Sequence, residues 1–333
     1  MNEARFDAWR VHRDGETIEA RFEKLALKDL APGAVTICAE YSSLNYKDAL
    51  ALSGKGKIMR RFPLVAGIDV AGRVEASADE RYQPGAPVLV TGCGLGEATD
   101  GGFAGRVRVD GDSVIPIPDA LDARSAMQLG TAGFTAALAI HRMEMNGLHA
   151  GDGAVAVTGA SGGVGSLAVA MLAGRGYRVV AMSAKAEAKP WLEALGATEV
   201  FDPRGVDFGT KPLESARYAG AVDTVGGDLL ARLLPVIDWR GSVAAIGNAG
   251  GAEFKTSVYP FILRGVNLLG INSMATPRAL RETIWQRLAA DLLPAKLNDI
   301  AAQEVALADV MDAVAPMLEG HGPLGRTLIR IRP

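Results

Sequence analysis

Residues 155–172, VAVTGASGGVGSLAVAML, join a β-branched run to a cluster of glycines and an apolar stretch with helical spacing. Glycines at 162, 163 and 165 allow a tight turn without side chains that would obstruct a ligand. The helix that follows directs its free N–H groups and its positive dipole end outwards, which suits a pyrophosphate. The alternative is a glycine-rich connection in an ordinary α/β protein. However, this turn follows a strand, opens a helix and precedes a second strand at the expected distance. The sequence therefore predicts a dinucleotide-binding turn whose contacts are Ser161, Gly162, Gly163 and Val164.

The end of the second strand, in VVAMSAKAEAK, indicates which dinucleotide is bound. NAD-specific folds place an acidic residue there to hold the ribose 2′-hydroxyl. Here Ser183, Ala184 and Lys185 occupy the position, and a hydroxyl beside an ammonium group suits a 2′-phosphate better. NADPH is therefore the predicted cofactor. The alternative is that Lys185 is only a solvated lysine at a helix start.

A metal site is not expected. The chain has four histidines and two isolated cysteines, Cys38 and Cys93, without a CxxC or HxxxH pair. His141 and His149 have no acidic or cysteine partner at ligand spacing, so we interpret them as structural or surface residues. Without metal or flavin signatures, the chemistry is expected to depend on the nicotinamide and on hydrogen bonds from the protein.

Two domains are expected to position these residues. Residues 1 to about 120 alternate short β-rich runs with Gly and Pro, which is typical of a mostly antiparallel β-domain. A long buried helix follows, and strands and helices then alternate, as in a doubly wound parallel α/β sheet. The final strand, in GRTLIRI, is expected to rejoin the first domain. The predicted domains are therefore 1–123 with 271–333, and 124–270.

Composition limits the classes of partner. The chain has 333 residues, 49% of them hydrophobic, and a formal net charge of -3, so it lacks the basic surplus typical of nucleic-acid or membrane-surface binders. With two cysteines and no leader-like start, a cytoplasmic location is expected. The apolar runs are well below the ~20 residues that a transmembrane helix needs.

Five blocks, SSLNYKDALALSGKG, FPLVAGIDVAGRV, GTAGFTAALAI, VTGASGGVGS and GRTLIRI, resemble the zinc-free branch of the medium-chain dehydrogenase/reductase superfamily, nearly from end to end. Zinc alcohol dehydrogenases carry Gly-His-Glu where this chain has Gly67-Ile68-Asp69, so the ligand histidine is replaced.

Within that branch, NYKDALALSGKGKI, FPLVAGID, PFILRG and INSM are most similar to the NADPH-dependent acryloyl-CoA reductases, a group that is often described as quinone oxidoreductases. The resemblance implies a GroES-like catalytic domain, a Rossmann cofactor domain and a homodimer joined along sheet edges. It also implies reduction of acryloyl-CoA to propionyl-CoA, with hydride transferred to the β-carbon.

Asn45 and Tyr46 lie in the block that matches the family's cleft motif. Hydride addition places negative charge on the thioester oxygen, so catalysis needs a hydrogen-bond donor there and a proton for the α-carbon. The match implies that Asn45 and Tyr46 are catalytic, with Tyr46 also contacting the cofactor and Lys47 or Asp48 orienting it. The alternative is that Tyr46 is an interfacial aromatic residue whose hydroxyl is satisfied by backbone.

CoA carries a diphosphate and a 3′-phosphate, so a CoA thioester site needs nearby cations. The segment GKGKIMRRF supplies Lys55, Lys57, Arg60 and Arg61, which we interpret as substrate-binding residues. A solvated basic face is an equally good interpretation of this run.

Further contacts are expected from the resemblance. The positions that match cofactor contacts are Thr131, Asn248, Ile271 and Ser273. Arg326 is a candidate for substrate binding, although a salt bridge to a surface carboxylate is the simpler interpretation. Two other functions stay open, an NADPH:quinone reductase and a non-catalytic NADPH-binding protein.

Overall fold

The computed structural model describes residues 4–301 and 303–332 and divides into two compact units. Unit 1 contains the described residues up to Thr131, Met274–Trp285 and the described residues from Ala301 onwards. Unit 2 contains Ala132–Ser273 and Gln286–Ile300. Residue 123, the first predicted domain boundary, is the first residue of a long helix. The helix belongs to unit 1 up to Thr131 and to unit 2 from Ala132 onwards.

The strands of the described chain are β1 (Phe6–Asp14), β2 (Thr17–Leu25), β3 (Val35–Leu44), β4 (Leu64–Val65), β5 (Asp69–Ser77), β6 (Pro87–Thr91), β7 (Arg106–Val109), β8 (Ile115–Pro116), β9 (Ala154–Thr158), β10 (Arg178–Met182), β11 (Glu199–Phe201), β12 (Tyr218–Asp223), β13 (Ile237–Ala245), β14 (Asn267–Gly270), β15 (Gln303–Ala306) and β16 (Thr327–Arg330). The α-helices are α1 (Tyr46–Leu52), α2 (Ala123–Met145), α3 (Gly163–Gly174), α4 (Lys189–Ala194), α5 (Gly227–Leu233), α6 (Tyr259–Arg264), α7 (Arg278–Leu288), α8 (Leu297–Ile300) and α9 (Val310–Leu318).

Unit 1 is built from two sheets. One has the strand order β2-β1-β4, and the other has the order β15-β16-β3-β5-β6-β8, with β7 also paired to β3. All pairings except β15 with β16 are antiparallel. The prediction of a mostly antiparallel β-domain is confirmed, and the last strand, β16, returns to pair with β3 as expected.

Unit 2 contains one six-stranded sheet with the order β11-β10-β9-β12-β13-β14, and every pair in it is parallel. This is the strand order of a Rossmann sheet, whose ligands bind beyond the carboxyl ends of the strands. All five residues of β9 are buried, as expected for a strand covered on both faces. The predicted doubly wound fold is confirmed.

The long helix α2 is interrupted at Gly130, which has φ 53° and ψ -156°. A positive φ of this kind favours glycine, because a β-carbon would clash with the backbone. The sequence predicts one long buried helix here, and the structure shows two helical segments that meet at a kink. The division between the units falls directly after this kink, at Thr131.

Each helix within residues 4–301 and 303–332 is too short or too polar to cross a bilayer.

Candidate functional site

The glycine turn of unit 2 connects the end of β9 to the start of α3. Gly159 has a φ of +58°, and the N–H of Gly162 donates to the Gly159 carbonyl at 3.0 Å. A β-carbon on Gly165 would lie 2.4 Å from the Gly159 oxygen, so only glycine lets the helix pack this closely on the strand exit. Tight packing at this point fixes the position of the helix N-terminus.

That N-terminus can accept an anion. Gly162 is the N-cap of α3, and the first helical N–H with a partner in the helix is that of Ser166, which donates to Gly162. The N–H groups of the preceding turn have no acceptor one turn back, which is general at a helix start. Gly162 is exposed, and Gly163 and Val164 are partly exposed. The turn therefore has the donors and the access that a pyrophosphate needs.

The end of β10 lies beside this turn. The Ser183 hydroxyl donates to the Ser161 hydroxyl at 3.0 Å and accepts from the Lys185 amide at 3.1 Å. Ser183 is buried, whereas Ala184 is exposed and Lys185 is partly exposed. The structure thus brings the two predicted cofactor segments together, with a hydroxyl and an ammonium where NAD-specific folds place an acid.

Arg204 is a second cation at this position that the sequence reasoning missed. It follows β11, the next strand of the sheet, and its Nη2 lies 3.4 Å from the Ala184 carbonyl. Its side chain is 72% exposed and forms an ion pair with Asp202. The sequence signal was available, because a parallel sheet brings the end of each strand to the same edge.

Asp223, at the end of β12, is a buried acid that organises the same edge. Its carboxylate accepts the Thr158 hydroxyl at 2.6 Å and the Gly226 amide at 2.9 Å. Burial raises the pKa of Asp223, although these hydrogen bonds act in the opposite direction. Asp223 therefore joins the exit of β9 to the turn after β12.

The remaining predicted contacts in unit 2 lie along this edge or directly after it. Asn248 is exposed in the loop after β13. Ile271 follows β14 and donates its amide to Ala245, and Ser273 lies two residues further on. Every predicted cofactor contact of unit 2 thus belongs to a segment that leaves the carboxyl end of a strand.

In unit 1, Asn45 and Tyr46 form the start of α1. Asn45 is the N-cap, and its amide N–H donates to the carboxylate of Asp48 at 2.8 Å, which makes a capping box. The second Asp48 oxygen accepts the Ile68 amide at 2.9 Å. Burial, followed by the charge of Asp69, raises the pKa of Asp48 to about 7, against the hydrogen bonds from Asn45 and Ile68.

The side chain of Asn45 is hydrogen-bonded to neighbouring protein groups. Its side-chain nitrogen donates to Asp69 at 2.8 Å, to Asp48 at 3.0 Å and to the Ser43 carbonyl at 3.3 Å. An amide has two hydrogens, and these acceptors use both. These contacts favour a positioning role for Asn45, and its catalytic role stays a prediction.

Tyr46 differs from Asn45 in its surroundings. Tyr46 is 51% exposed at the first position of α1, so its phenol is accessible to a ligand. Of the two residues predicted to orient it, Lys47 binds Glu97 at 2.9 Å, and Asp48 holds the helix start. The catalytic assignment of Tyr46 stays a prediction.

Arg326 is buried, with 3% exposure, and not on the surface. Its guanidinium donates to the Ser43 hydroxyl at 2.6 Å and to the Asn45 side-chain oxygen at 3.0 Å. The nearest acid, Asp69, is 3.8 Å away and fully buried. The interpretation as a salt bridge to a surface carboxylate is therefore wrong. The donors of Arg326 are directed at protein groups, which does not favour substrate binding.

The basic segment lies on the exposed loop after α1. Its four cations, Lys55, Lys57, Arg60 and Arg61, are all exposed. Arg61 binds the buried carboxylate of Asp100 at 3.0 Å and the Ala98 carbonyl at 3.0 Å, so it anchors the loop. The predicted role in substrate binding therefore fits the other three better than Arg61.

Catalytic zinc does not fit the residues of unit 1. Ile68 has no ligand atom, and the carboxylate of Asp69 already accepts hydrogen bonds from Ser43, Asn45 and Thr131. Within residues 4–301 and 303–332, no group of three or more His, Cys, Asp and Glu could hold a metal ion. Zinc-independence stays a prediction from the replaced histidine.

Comparison with known proteins places the chain in a family. Residues 31–119 match the alcohol dehydrogenase GroES-like domain, and residues 163–290 match the family described as zinc-binding dehydrogenase. The two matches fall on the β-rich and parallel-sheet parts of the chain, in that order. The chain belongs to the medium-chain dehydrogenase/reductase superfamily.

Curated relatives narrow the assignment. Acrylyl-CoA reductase AcuI of Ruegeria pomeroyi is 46% identical over 319 residues, which cover 95% of this chain and 96% of the relative. A Bacillus subtilis protein named "Putative quinone oxidoreductase YhfP" is 43% identical over 327 residues, which cover 98% and 99% of the two chains.

Solved structures agree with this placement. The Escherichia coli K-12 YhdH structure with bound NADPH has a TM-score of 0.94 and 44% identity, covering 98% of this chain and 100% of that one. The Bacillus subtilis YhfP structure with bound NAD has a TM-score of 0.96 and 43% identity, covering 99% and 100%. Within the superfamily, the chain falls in the AcuI/YhdH branch.

Proposed function

We propose that this protein reduces the carbon–carbon double bond of acryloyl-CoA with NADPH, giving propionyl-CoA. The observation that carries the proposal is the 46% identity to acrylyl-CoA reductase AcuI, which extends over nearly the whole of both chains. The geometry of the two units supplies the groups that this reaction needs.

The residues of unit 2 fit NADPH. The N-terminal turn of α3 offers backbone donors for the pyrophosphate. Ser183, Lys185 and Arg204 offer a hydroxyl and two cations for the 2′-phosphate, with Arg204 and Lys185 on adjacent strand exits. The YhdH structure holds NADPH, and the YhfP structure holds NAD. We expect the charged patch of Ser183, Lys185 and Arg204 to decide which of these two cofactors this chain prefers.

Bound NADPH supplies a hydride for the β-carbon of the substrate, and a proton must then reach the α-carbon. The exposed phenol of Tyr46 can donate a hydrogen bond or a proton without bringing a net charge into the site. Asn45 and Asp48 hold the start of α1 and therefore the backbone from which Tyr46 projects. Tyr46→Phe is therefore expected to lower turnover.

CoA binding is proposed for the loop after α1. Lys55, Lys57 and Arg60 are exposed there, and the Arg60 amide donates to the Glu97 carbonyl at 2.8 Å. Together with the bonds of Arg61, this contact fixes the loop. Three cations on a fixed loop can bind the phosphates of CoA without the cost of ordering a mobile segment.

A homodimer is proposed on the basis of an apolar surface at one end of the unit 2 sheet. The outermost strand there is β14, and α6 packs against β13 next to it. Large apolar side chains exposed on these elements and directly before α6 are Trp239, Val258, Tyr259, Ile262, Leu263 and Leu268. A second copy would cover this surface and the unpaired strand edge. Sedimentation should then show a dimer that Ile262→Asp dissociates.

A cytoplasmic location also stays a prediction.

Quinone reduction is the second candidate, since the B. subtilis relative YhfP carries a quinone oxidoreductase name. The test is NADPH oxidation with acryloyl-CoA and with a benzoquinone, under the same conditions. Faster turnover of acryloyl-CoA is expected. Turnover of the quinone alone would favour the second candidate, and NADPH binding without turnover of either would indicate a non-catalytic protein.

A further inference from the structure

Asp69 is the centre of a buried polar cluster in unit 1. It is fully buried, and its carboxylate accepts the Ser43 hydroxyl at 2.6 Å and the Asn45 amide at 2.8 Å. It also accepts the Thr131 hydroxyl at 2.5 Å and the Thr131 backbone amide at 3.0 and 3.1 Å. One carboxylate thus holds two segments, residues 43–45 and the segment at Thr131, that are far apart in the sequence.

Arg326 and Asp69 together determine which groups of this cluster donate hydrogen bonds and which accept them. Asn45 and Ser43 bridge the two charges, because each accepts from Arg326 and donates to Asp69. An acid accepts only and a guanidinium donates only, so each bridging side chain has one permitted orientation. Breaking a buried pair of this kind leaves an uncompensated charge, which is strongly unfavourable.

The backbone passes very close to this cluster at Gly130. A β-carbon there would lie 2.6 Å from the Ser43 hydroxyl, 2.8 Å from Asp69 and 2.8 Å from Arg326. Glycine lets the chain pass this close and turn sharply at positive φ. The turn delivers the amide of Thr131, the first residue of the next helical segment, to Asp69, where the positive end of the helix dipole favours an anion.

We propose that Asp69 is a positioning residue of the reductase, which holds Thr131, Asn45 and the start of α1 in the arrangement that hydride transfer needs. It occupies the position after the zinc-ligand histidine of related dehydrogenases, which is Ile68 in this chain. The residues it holds include a predicted cofactor contact, Thr131, and the N-cap directly before Tyr46. The effect of this positioning on the rate of reduction rests on the proposed function.

A purely stabilising role makes a different prediction, and Asp100 provides the matched control. Asp100 is also a buried carboxylate of unit 1, with 1% exposure. It accepts the amides of Ala31 at 2.8 Å and Val65 at 3.1 Å and pairs with Arg61. Asp69→Asn and Asp100→Asn should both reduce stability, but only the first disturbs residues predicted to contact the cofactor.

The experiment compares Asp69→Asn, Asp100→Asn and the milder Ser43→Ala with the unsubstituted protein. Stability, hydrogen exchange of the segment containing Thr131, NADPH affinity and steady-state kinetics are measured for each folded variant. Asp69→Asn should accelerate exchange at Thr131, weaken NADPH binding several-fold and lower kcat about 100-fold, since small misplacements of reacting groups cost this much. Asp100→Asn should retain the NADPH affinity and the rate of exchange at Thr131.

Three results would overturn the inference. One is an Asp69→Asn protein with unchanged exchange at Thr131 and unchanged NADPH affinity. Another is an equal loss of NADPH affinity in Asp100→Asn. If Asp69→Asn does not fold, Ser43→Ala decides, because it keeps both charges and should still lower kcat several-fold, and an unchanged kcat would contradict the proposal. If the unsubstituted protein does not reduce acryloyl-CoA, the proposed function fails, while exchange and NADPH affinity still test the role of Asp69.

Discussion

The polar cluster around Asp69 in unit 1 and the polar groups after β9, β10 and β11 in unit 2 are arranged in opposite ways. In unit 1, Asp69 and Arg326 are buried, and their polar atoms are bound to other protein groups. At the carboxyl edge of the unit 2 sheet, the glycine turn presents backbone donors, and Lys185 and Arg204 are partly or largely exposed. One region is a closed network, and the other is an open surface.

This difference indicates that the buried cluster positions other groups, whereas the exposed edge recognises a ligand. A closed network has no donors left for a ligand, so it acts by holding the backbone and neighbouring side chains in place. An open edge keeps its donors and cations for a ligand and selects among ligands by charge. Substitutions in the network should therefore change rates and stability, whereas substitutions at the edge should change affinity and cofactor preference.

The largest effect is expected at the packing point of the glycine turn. In Gly165→Ala the new β-carbon would lie 2.4 Å from the Gly159 oxygen and 2.7 Å from the Ala160 Cα. We expect a loss of about 1–3 kcal/mol in stability, as for overpacked sites, and NADPH affinity at least ~100-fold weaker. The control is Gly174→Ala at the other end of α3, where a β-carbon meets nothing within 4 Å. Equal NADPH affinity in the two variants, measured by fluorescence quenching, would contradict this assignment.

The next effect concerns cofactor preference. Lys185→Ala and Arg204→Ala should each weaken NADPH binding about tenfold and leave NADH binding nearly unchanged, because only NADPH carries the 2′-phosphate. Arg178→Ala serves as the control, since Arg178 is exposed at the opposite end of β10. Calorimetric titration with both cofactors measures the preference. Parallel losses for NADPH and NADH would show that the two cations do not bind the 2′-phosphate.

A pH effect is expected from the closed network. The pKa of Asp48 is raised to about 7, so the folded state binds its proton more tightly than the unfolded chain does. Its contribution to stability is complete below about pH 4 and is lost as the pH rises through 7. Relative to Asp48→Asn, the unsubstituted protein should lose stability over this range by up to about 1.4 kcal/mol per pH unit. Denaturant unfolding at several pH values measures the difference, and a difference that does not vary with pH would refute the assignment.

The smallest effect is expected at the loop after α1. Removing Lys55, Lys57 and Arg60 together by alanine substitution should raise the KM for acryloyl-CoA about three- to tenfold without changing kcat, because exposed charges contribute modestly. Acryloyl-pantetheine, which lacks the CoA phosphates, is the matched control substrate. Its KM should be the same for both proteins, and an equal increase for both substrates would exclude phosphate binding by this loop.

Local patterns in the sequence were sufficient to predict much of the molecule. The alternation of buried strands and helices predicted the parallel sheet of unit 2, and the glycine spacing predicted the turn before α3. The unusual Ser183 and Lys185 were also visible, because each lies directly after a strand whose end is evident from the sequence.

Features that depend on distant pairing could not be predicted in the same way. The partners of Asp69 come from residues 43, 45 and 131, and Arg326 joins them from the other end of the chain. No local pattern shows that the Asn45 amide is already bound to acids. The kink at Gly130 depends equally on what packs against it, so a helical pattern gave no indication of it.

In the proposed reaction, hydride from NADPH is added to the β-carbon of acryloyl-CoA. This step is tested most directly by incubating the protein with acryloyl-CoA and NADPH deuterated at both C4 positions, followed by NMR of the product. The expected product is propionyl-CoA with a single deuterium on its β-carbon. Propionyl-CoA without deuterium at that carbon, or unchanged acryloyl-CoA while a benzoquinone is reduced, would contradict it.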